Sequence, residues 1–407
     1  MKVKVQNIAK IKSSEIEING ITIIAGYNST GKSTISKSLV YTLRGYSDLR
    51  NKIFNNRISS MMSAASPHLR YSSSEYSQLE KAMGDLASNP SLEISDELVS
   101  SMVSISSRLS KRSKTPDEIR QRIEHYRKLS DSEYAKFIIN KSIQDGFGGC
   151  VNTIGCDEPG TIQISGDSVQ EISIEIKDNQ VSTCPNFDSA YSSPIYIEPR
   201  HILDEIASNL PFSIMDIDMQ MELHSELMSD TKVREVSMAD DDDVKKAFLI
   251  AKNLSDDVLH GKLKITDGSV SFFDSDFRGN IPISDTASGI KSMAYILRLL
   301  ENRMLKRGDI LVIDEPEMNL HPEWQLTFAD FLVQLSKELN INVLLNTHSP
   351  YFLRAIDVYS SQHDTRDLMK LYMTIPSDDT PNVFVTKDCT DCPENAFEPL
   401  YRPFERL

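Results

Sequence analysis

The sequence predicts an α/β fold in which a mixed, mainly parallel β-sheet is flanked by helices. Short apolar runs at residues 21–24, 310–313 and 341–345 are typical of buried strands. Amphipathic helical patterns begin at Ser33 and at Pro322, each soon after one of these runs. Strands that alternate with helices in this way favour a parallel sheet that is covered on both faces.

Other segments predict antiparallel strands beside the parallel sheet. Residues 1–11 and 15–24 alternate apolar and polar side chains ahead of the first helix. The same period of two predicts further strands at 160–176, 194–199 and 261–273. We therefore expect an antiparallel β subdomain.

The middle of the chain has a helical pattern. Residues 47–149 combine serine-rich loops with amphipathic helices. The clearest helix start is a capping box, in which Thr115 and Glu118 enclose Pro116 at the first helical position. A second helical zone is predicted at 201–259. We interpret the first zone as a helical insertion in the sheet-containing domain.

The composition predicts a globular protein of the cytoplasm, with no membrane association. The chain has 407 residues, of which 40% are hydrophobic, so that it can bury a full-sized core. The N-terminus lacks the apolar core of a signal peptide, and no stretch approaches the roughly 18 apolar residues of a spanning helix. The net charge of -15 argues against non-specific nucleic-acid binding over the whole surface, although it leaves room for a local basic patch.

The cysteines indicate reduced thiols. Their number is five, which is odd, and no paired spacing suggests a disulfide framework. Cys389 and Cys392 have the spacing of half a zinc site, but no second pair completes it. We interpret them as free cysteines in a loop.

A glycine-rich loop follows the strand at 21–24 and opens a helix. Its pattern G-x-x-x-x-G-K-[ST] is that of a P-loop, whose backbone N–H groups surround the phosphates of a nucleotide. Lys32 is expected to reach the β- and γ-phosphates, and Ser33 to place its hydroxyl on Mg²⁺. The motif thus predicts ATP and Mg²⁺ as cofactors. The expected binding residues are Gly26, Tyr27, Asn28, Ser29, Thr30, Gly31, Lys32, Ser33 and Thr34.

A P-loop needs a second group that holds the metal ion. Asp314 ends the apolar strand at 310–313 and is expected to contact Mg²⁺, through water. Glu315, the next residue, is placed to orient and deprotonate the attacking water. These residues predict a hydrolase that cleaves ATP.

Three further segments resemble the ABC ATPase superfamily, in the compact branch that includes RecF, SMC-type heads, the OLD ATPases and the Septu ATPase PtuA. Residues 285–292 resemble the signature motif, in an S-G-x-K form instead of LSGGQ. Residues 317–322 resemble the D-loop, and 346–350 resemble the switch loop with its histidine. The resemblance covers residues 1–45 and most of the chain from Gly261 onward.

The resemblance implies a P-loop ABC ATPase head whose site is shared between two copies. Ser288 and Gly289 head a helix that would face the γ-phosphate bound by the other copy. His348, at the end of a strand, would contact the γ-phosphate. The implied catalytic residues are Glu315, His348 and Lys32, and the implied further nucleotide contacts are Ser288, Gly289, Lys291 and Asn319. We therefore expect a head-to-tail homodimer, or a higher homo-oligomer, around ATP.

The resemblance also implies a division of the chain. Residues 1–46 and 261–407 would form the ATPase core, residues 47–150 the helical insertion, and residues 151–260 a β segment and helical region that complete the head. A clear Q-loop glutamine is not present, and residues 196–200 stand where the chain should re-enter the core.

Two functional hypotheses follow from the motifs. The first is a bacterial anti-phage defence ATPase of the Septu or retron kind, which controls a separate nuclease or toxin. Only about 50 residues follow the switch loop, too few for a Toprim nuclease domain, so that a nuclease would have to come from a partner. The second is a DNA-repair clamp or loader of the RecF or SMC type. A transporter subunit is disfavoured by the form of the signature motif.

The insertion bears on the choice between these hypotheses. It is too short and irregular for the long coiled coil of an SMC arm. It carries the one dense basic stretch in the sequence, which could contact a nucleic-acid backbone or simply form a solvated helix face. This stretch consists of Arg108, Lys111, Arg112, Lys114, Arg120, Arg122, Arg127 and Lys128.

Overall fold

A computed structural model describes most of the chain. The described residues are 1–64, 73–89, 91–109, 114–166, 169–184, 191–198, 242–266, 269–286 and 288–402. The helical zone predicted at 201–259 lies outside these ranges up to residue 241.

The described strands form one large sheet of eleven strands and a separate sheet of three. Strands of the large sheet are β1 (Lys2–Ile8), β2 (Ile11–Glu17), β3 (Ile21–Ala25), β4 (Gly160–Gly166), β5 (Val169–Lys177), β6 (Gln180–Thr183), β7 (Ile195–Ile197), β11 (Ile310–Asp314), β12 (Asn342–Thr347), β13 (Lys370–Pro376) and β14 (Phe384–Asp388). The small sheet contains β8 (Gly261–Thr266), β9 (Ser269–Asp274) and β10 (Gly279–Pro282). The predicted hairpin at 261–273 is confirmed and has a third strand.

The large sheet is mixed, as predicted. Strands β13, β3, β12, β11 and β7 are neighbours in that order, and all are parallel. Strands β6, β5, β4, β1 and β2 form an antiparallel block, which β14 joins to the parallel one. The strand β3 that leads into the glycine loop therefore lies inside the parallel block, with a neighbour on each side.

The N-terminal prediction of two strand-like runs is wrong in one respect, because the run at 15–24 contains parts of two strands. The chain breaks at 18–20, where Gly20 has a φ of +50°. A Cβ atom at Gly20 would lie 2.8 Å from Cβ of Leu368, so the turn needs glycine for both conformation and space. The apolar pattern continues through this turn, which is why it reads as one strand.

The described helices cover both faces of the large sheet. They are α1 (Lys32–Tyr46), α2 (Leu49–Met62), α3 (Ser73–Ser88), α4 (Asp96–Leu109), α5 (Pro116–Lys128), α6 (Asp131–Phe147), α7 (Asp242–Asn253), α8 (Ser288–Glu301), α9 (Pro322–Leu339), α10 (Pro350–Gln362) and α11 (Glu394–Tyr401). A π-helical turn, Leu254–Leu259, follows α7. The capping box at Thr115 is confirmed, since its side chain accepts from the backbone of Glu118.

The two faces of β3 enter different cores. Ile21 and Ile23 belong to a cluster that includes α8, α9 and α10, whereas Ile24 belongs to a cluster that includes α1 and α6. The alternation follows from the period of two in a strand, and burial on both faces explains why this strand is wholly apolar except for Thr22. The glycine loop thus begins at a fully buried strand end.

The helices at 47–150 do not all pack alike. Side chains of α2 to α5, among them Met61, Met83 and Met102, form a small core of their own. Helix α6 instead packs on α1 and contributes Ile139 and Ile143 to the core beside the large sheet. The small core therefore ends before α6 begins.

Within the described residues, no helix combines the length and the apolar character that crossing a membrane would require.

Candidate functional site

The candidate site lies where four parallel strands end. The register pairs Asp314 of β11 with Asn346 of β12, and Asn346 with Ile24 of β3. On the other side, Ile313 pairs with Ile197 of β7. Carboxyl ends of parallel strands share one edge of a sheet, so residues far apart in sequence converge there.

The glycine loop between β3 and α1 has the geometry of a phosphate cradle. Gly26 and Gly31 have φ angles of +156° and +90°, and Ser29 is also left-handed. At Gly26 a Cβ atom would lie only 1.9 Å from Oγ1 of Thr374 on β13. Thr374 also contacts Thr30, whose hydroxyl lies 2.6 Å away. Strand β13 therefore packs against the glycine loop and leaves no space for a side chain at Gly26.

Lys32 lies at the centre of the loop and is buried. Its Nζ atom donates to the carbonyl oxygens of Gly26, at 3.0 Å, and of Tyr27, at 2.8 Å. Burial lowers the pKa of the ammonium group, and the carboxylates of Glu315, Glu317 and Asp314 act in the opposite direction. The charge is thus held by loop carbonyls and by three carboxylates that lie beyond them.

Asp314 is the most enclosed carboxylate of the site, with 6% of its surface exposed. The hydroxyl of Tyr196 donates to its Oδ2 atom at 2.8 Å, and the amide of Asn346 donates to Oδ1. Burial raises the pKa of Asp314, while hydrogen bonds with Ser33, Asn346 and Tyr196 lower it. The contact with Ser33 brings the two predicted metal ligands together.

Glu315 and His348 also come together, as their predicted roles require. The Nδ1 atom of His348 lies 3.6 Å from Oε1 of Glu315. Glu315 has a φ of +48°, an unusual conformation for this residue type, and its backbone N–H donates to the carbonyl of Asn346 at 2.8 Å. This hydrogen bond extends the pairing of β11 with β12 by one residue and fixes where the Glu315 side chain leaves the sheet.

The residues present fit Mg²⁺. The ion prefers oxygen ligands and is usually held by one or two carboxylates together with phosphates and water. The Asp314 carboxylate and the Ser33 hydroxyl supply such oxygens, and the buried Oδ1 atom of Asn346 accepts from no donor in the described part of the chain. Among the described residues, no group of three or more His, Cys, Asp or Glu side chains could hold a metal. Cys389 is buried and Cys392 is exposed, and both are free thiols.

The residues implied for the second copy lie on other segments. Helix α8 begins at Ser288, as predicted, and the side chain of Ser288 is outside the described part. Lys291 is buried, and its ammonium group lies 3.4 Å from the carbonyl of Ser284. Asn319 has a φ of +58° in the turn before α9. Their predicted contacts to nucleotide need a second chain and stay predictions.

Some basic side chains of the insertion have partners within the insertion itself. Arg120 donates to the carbonyl of Ile94 at 2.6 Å and pairs with Asp96. Arg127 donates to the carbonyl of Leu92 at 2.6 Å and pairs with Glu124. Lys114 donates to the carbonyl of Ala64, whereas Lys111 and Arg112 lie outside the described residues. These contacts tie helices together, which favours a structural role for this stretch.

Sequence reasoning missed three residues of the site or gave them no role. Tyr196 lies in the segment that re-enters the core, and its contact with Asp314 depends on the pairing of β7 with β11. Asn346 and Glu317 lie in the switch-loop and D-loop motifs, yet both hold other groups of the site. Their signal in the sequence is only a polar residue at the end of a buried strand or just after one.

Comparison with known proteins gives one family match. A family model described as AAA domain, putative AbiEii toxin, Type IV TA system matches residues 172–354. No curated protein matches the chain.

Solved structures give more distant similarities. An SmcHead bound to the C-winged helix domain of ScpA is 12% identical, with a TM-score of 0.45, and 95% of this chain and 96% of that chain are covered. The SMC head domain from Thermotoga maritima is 10% identical, with a TM-score of 0.39, over 95% and 97% of the two chains. An ATP-binding cassette of an ABC transporter in its ADP conformation is 10% identical, with a TM-score of 0.35, over 98% of each chain.

The P-loop ahead of α1, the carboxylates at the end of β11 and the AAA-domain family model over residues 172–354 together support a P-loop ATPase.

Proposed function

We propose that the chain is a Mg²⁺-dependent ATPase of the ABC type whose active site is completed by a second copy of the chain. We further propose that this ATPase controls a separate nuclease or toxin in anti-phage defence. The observation that carries the ATPase proposal is the convergence of Lys32, Asp314, Glu315 and His348 at one edge of the sheet. These four residues supply a phosphate-binding cation, a metal ligand, a general base and a group for the γ-phosphate.

The chemistry follows from where these groups lie. Lys32 exchanges its bonds to the loop carbonyls for bonds to the β- and γ-phosphates. Asp314 and Ser33 would hold Mg²⁺, which neutralises charge on the phosphates. Glu315 accepts a proton from the water whose oxygen attacks the γ-phosphorus, and ADP leaves. His348, beside Glu315, hydrogen-bonds the γ-phosphate.

The second copy would supply the N-terminus of its α8, with Ser288 and Gly289, to the far side of the γ-phosphate. Binding of ATP would then join two heads, and hydrolysis would release them. The head-to-tail arrangement is two-fold symmetric and closed.

Glu315→Gln tests the ATPase and its dimer. The amide cannot accept the proton, so we expect Mg²⁺-ATP to hold this variant as a dimer in light scattering, with hydrolysis lowered at least about 100-fold. Glu80→Gln, at an exposed position of α3, is the matched control and should hydrolyse ATP normally. Normal hydrolysis by Glu315→Gln would refute the role of Glu315 as the base.

The defence role rests on the motif style and on the family description, which names a putative toxin of a type IV toxin–antitoxin system. Phage plaque counts test it in cells that carry the gene with its neighbours. Lys32→Ala should abolish protection if the ATPase controls an effector. Equal protection by wild type and Lys32→Ala would refute this role.

The alternative function is a repair clamp or loader that binds DNA. The internal partners of Arg120 and Arg127 weigh against it, because side chains engaged in the fold are less available to phosphates. Tight, salt-dependent binding of the wild-type chain to duplex DNA would favour this alternative.

A further inference from the structure

Glu317 is a buried carboxylate two residues after Glu315. Only 5% of its surface is exposed, although it begins the D-loop segment at 317–322. Two turn hydrogen bonds fix its backbone, from Met318 to the carbonyl of Glu315 and from Leu320 to the carbonyl of Glu317. A buried ionisable side chain is costly unless it is paired, so its partners indicate what it does.

Among the described residues, the hydrogen-bond donors to Glu317 come from the switch loop. Its Oε1 atom accepts from the hydroxyl of Thr347 at 2.7 Å, from the backbone N–H of His348 at 3.1 Å and from that of Ser349 at 3.2 Å. The Nδ1 atom of the His348 ring lies 3.5 Å from the same oxygen. One carboxylate oxygen thus holds three consecutive residues, with the histidine in the middle.

Without these contacts, the backbone of residues 347–349 would have few hydrogen bonds to fix its conformation. It joins the end of β12 to the start of α10, where Ser349 caps the helix by accepting from the N–H of Phe352 at 3.1 Å. Backbone N–H groups between a strand and a helix have no ladder partner. The Glu317 oxygen supplies that partner and sets the direction in which His348 points.

We propose that Glu317 is a positioning residue that acts through His348 and links the D-loop to the γ-phosphate site. This proposal rests on the ATPase function proposed above. The backbone of Glu317 belongs to the segment expected to meet the second copy, while its side chain holds the switch loop. A shift of the D-loop when two copies associate therefore moves His348 and favours hydrolysis in the dimer.

Two substitutions separate this role from simple packing. Glu317→Gln keeps a carbonyl oxygen that can accept from all three donors, and its NH₂ group replaces the Oε2 atom, which has no hydrogen-bond partner among the described residues. Glu317→Ala removes the acceptor. We expect hydrogen exchange at the His348 and Ser349 amides to quicken roughly tenfold or more in Glu317→Ala, and to stay near wild type in Glu317→Gln.

The two variants should also differ in kcat. In Glu317→Ala, kcat should fall at least about tenfold, while the Kd for ADP changes less than about threefold because the loop carbonyls, Asp314 and Glu315 still hold Lys32. Glu317→Gln should restore kcat. Combined with His348→Ala, Glu317→Ala should add no further loss, since both act through one group.

Several results would overturn the proposal: unchanged amide exchange in Glu317→Ala, additive losses in the double variant, or a Glu317→Gln variant as defective as Glu317→Ala. If Glu317→Ala fails to fold, Thr347→Val removes one donor to Glu317 but also the acceptor of the Ser349 N–H, so the His348 amide is the informative probe. A smaller rise in exchange at His348 is then expected, and no rise there would refute the link. A wild-type chain that hydrolyses no ATP would refute the ATPase function, while the exchange experiment would still test the contact.

Discussion

The hydrogen bond between Tyr196 and Asp314 offers a quantitative test of how the site is built. Tyr196→Phe removes the hydroxyl that donates to Oδ2 at 2.8 Å but leaves the ring packed beside the sheet. The change creates no cavity larger than one oxygen atom. It leaves a buried carboxylate with one donor fewer, so the loss reports on the hydrogen bond itself.

The magnitude follows from the charge of the acceptor. A hydrogen bond to a charged group contributes about 1.5–3 kcal/mol, whereas a neutral one contributes about 0.5–1.5 kcal/mol. With a Tm shift of about 2 °C per kcal/mol for a large domain, Tyr196→Phe should lower the Tm by about 3–6 °C without Mg²⁺. The hydroxyl supports the ionised form of Asp314, so the deficit should shrink as the pH falls and the carboxyl group takes up a proton.

Tyr372→Phe is the matched control. Both tyrosines are 4% exposed, but the hydroxyl of Tyr372 accepts from the neutral N–H of Glu17 at 3.0 Å. Loss of the Tyr372 hydroxyl should lower the Tm by about 1–3 °C. The difference in Tm between Tyr372→Phe and wild type should be the same with and without Mg²⁺-ADP. Thermal unfolding at pH 8 measures both. A Tyr196→Phe deficit no larger than that of Tyr372→Phe would refute the view that this hydroxyl stabilises a buried charge.

Three further predictions concern two residues of the site and one of the helical insertion. Burial raises the pKa of Asp314, so the ionised carboxylate destabilises the folded state above the folded pKa, and this cost disappears as the pH falls. Asp314→Asn should therefore have a higher Tm than wild type at pH 8 without Mg²⁺. Thermal unfolding should show this advantage shrinking toward pH 4. Lys32→Ala should abolish nucleotide binding in calorimetry, and affinity within about threefold of wild type would contradict the role of the loop. Arg127→Ala should destabilise the insertion by about 1 kcal/mol, seen as faster amide exchange in α5, and leave DNA gel shifts unchanged. A weaker gel shift would instead favour a nucleic-acid role for Arg127.

The parts of the site that the sequence predicts are those with local signals. The glycine loop is recognisable because its glycines, Lys32 and Ser33 are contiguous, and Asp314 because a polar residue ends an apolar strand. The hydrogen-bond partners of these residues depend on the order of strands in the sheet, and no local sequence pattern reveals that order. Tyr196 can donate to Asp314 only because β7 lies next to β11.

The split of the N-terminal run into β2 and β3 has a similar cause. Both strands have apolar side chains on a face that packs in the core. The break between them depends on the fit of Gly20 against Leu368, a residue much later in the sequence. The basic stretch of the insertion shows the same limit. Clustered charges suggest a surface for phosphates, but acceptors such as the carbonyl of Leu92, 35 residues before Arg127, are visible only in the fold.

The position of β3 between β12 and β13 has a consequence for the timing of folding. The glycine loop leaves β3, yet the strands on either side of β3, and Thr374 beneath the loop, come from the last part of the chain. During synthesis about 345 residues must follow Ala25 before β13 appears, which takes about 17–70 s at 5–20 residues per second. Until then at least one edge of β3 is unpaired, and Thr374 is not yet present beside the glycine loop. Premature termination ahead of β13 would therefore yield fragments whose glycine loop lacks the packing of Thr374, and such fragments should bind nucleotide more weakly than the full chain.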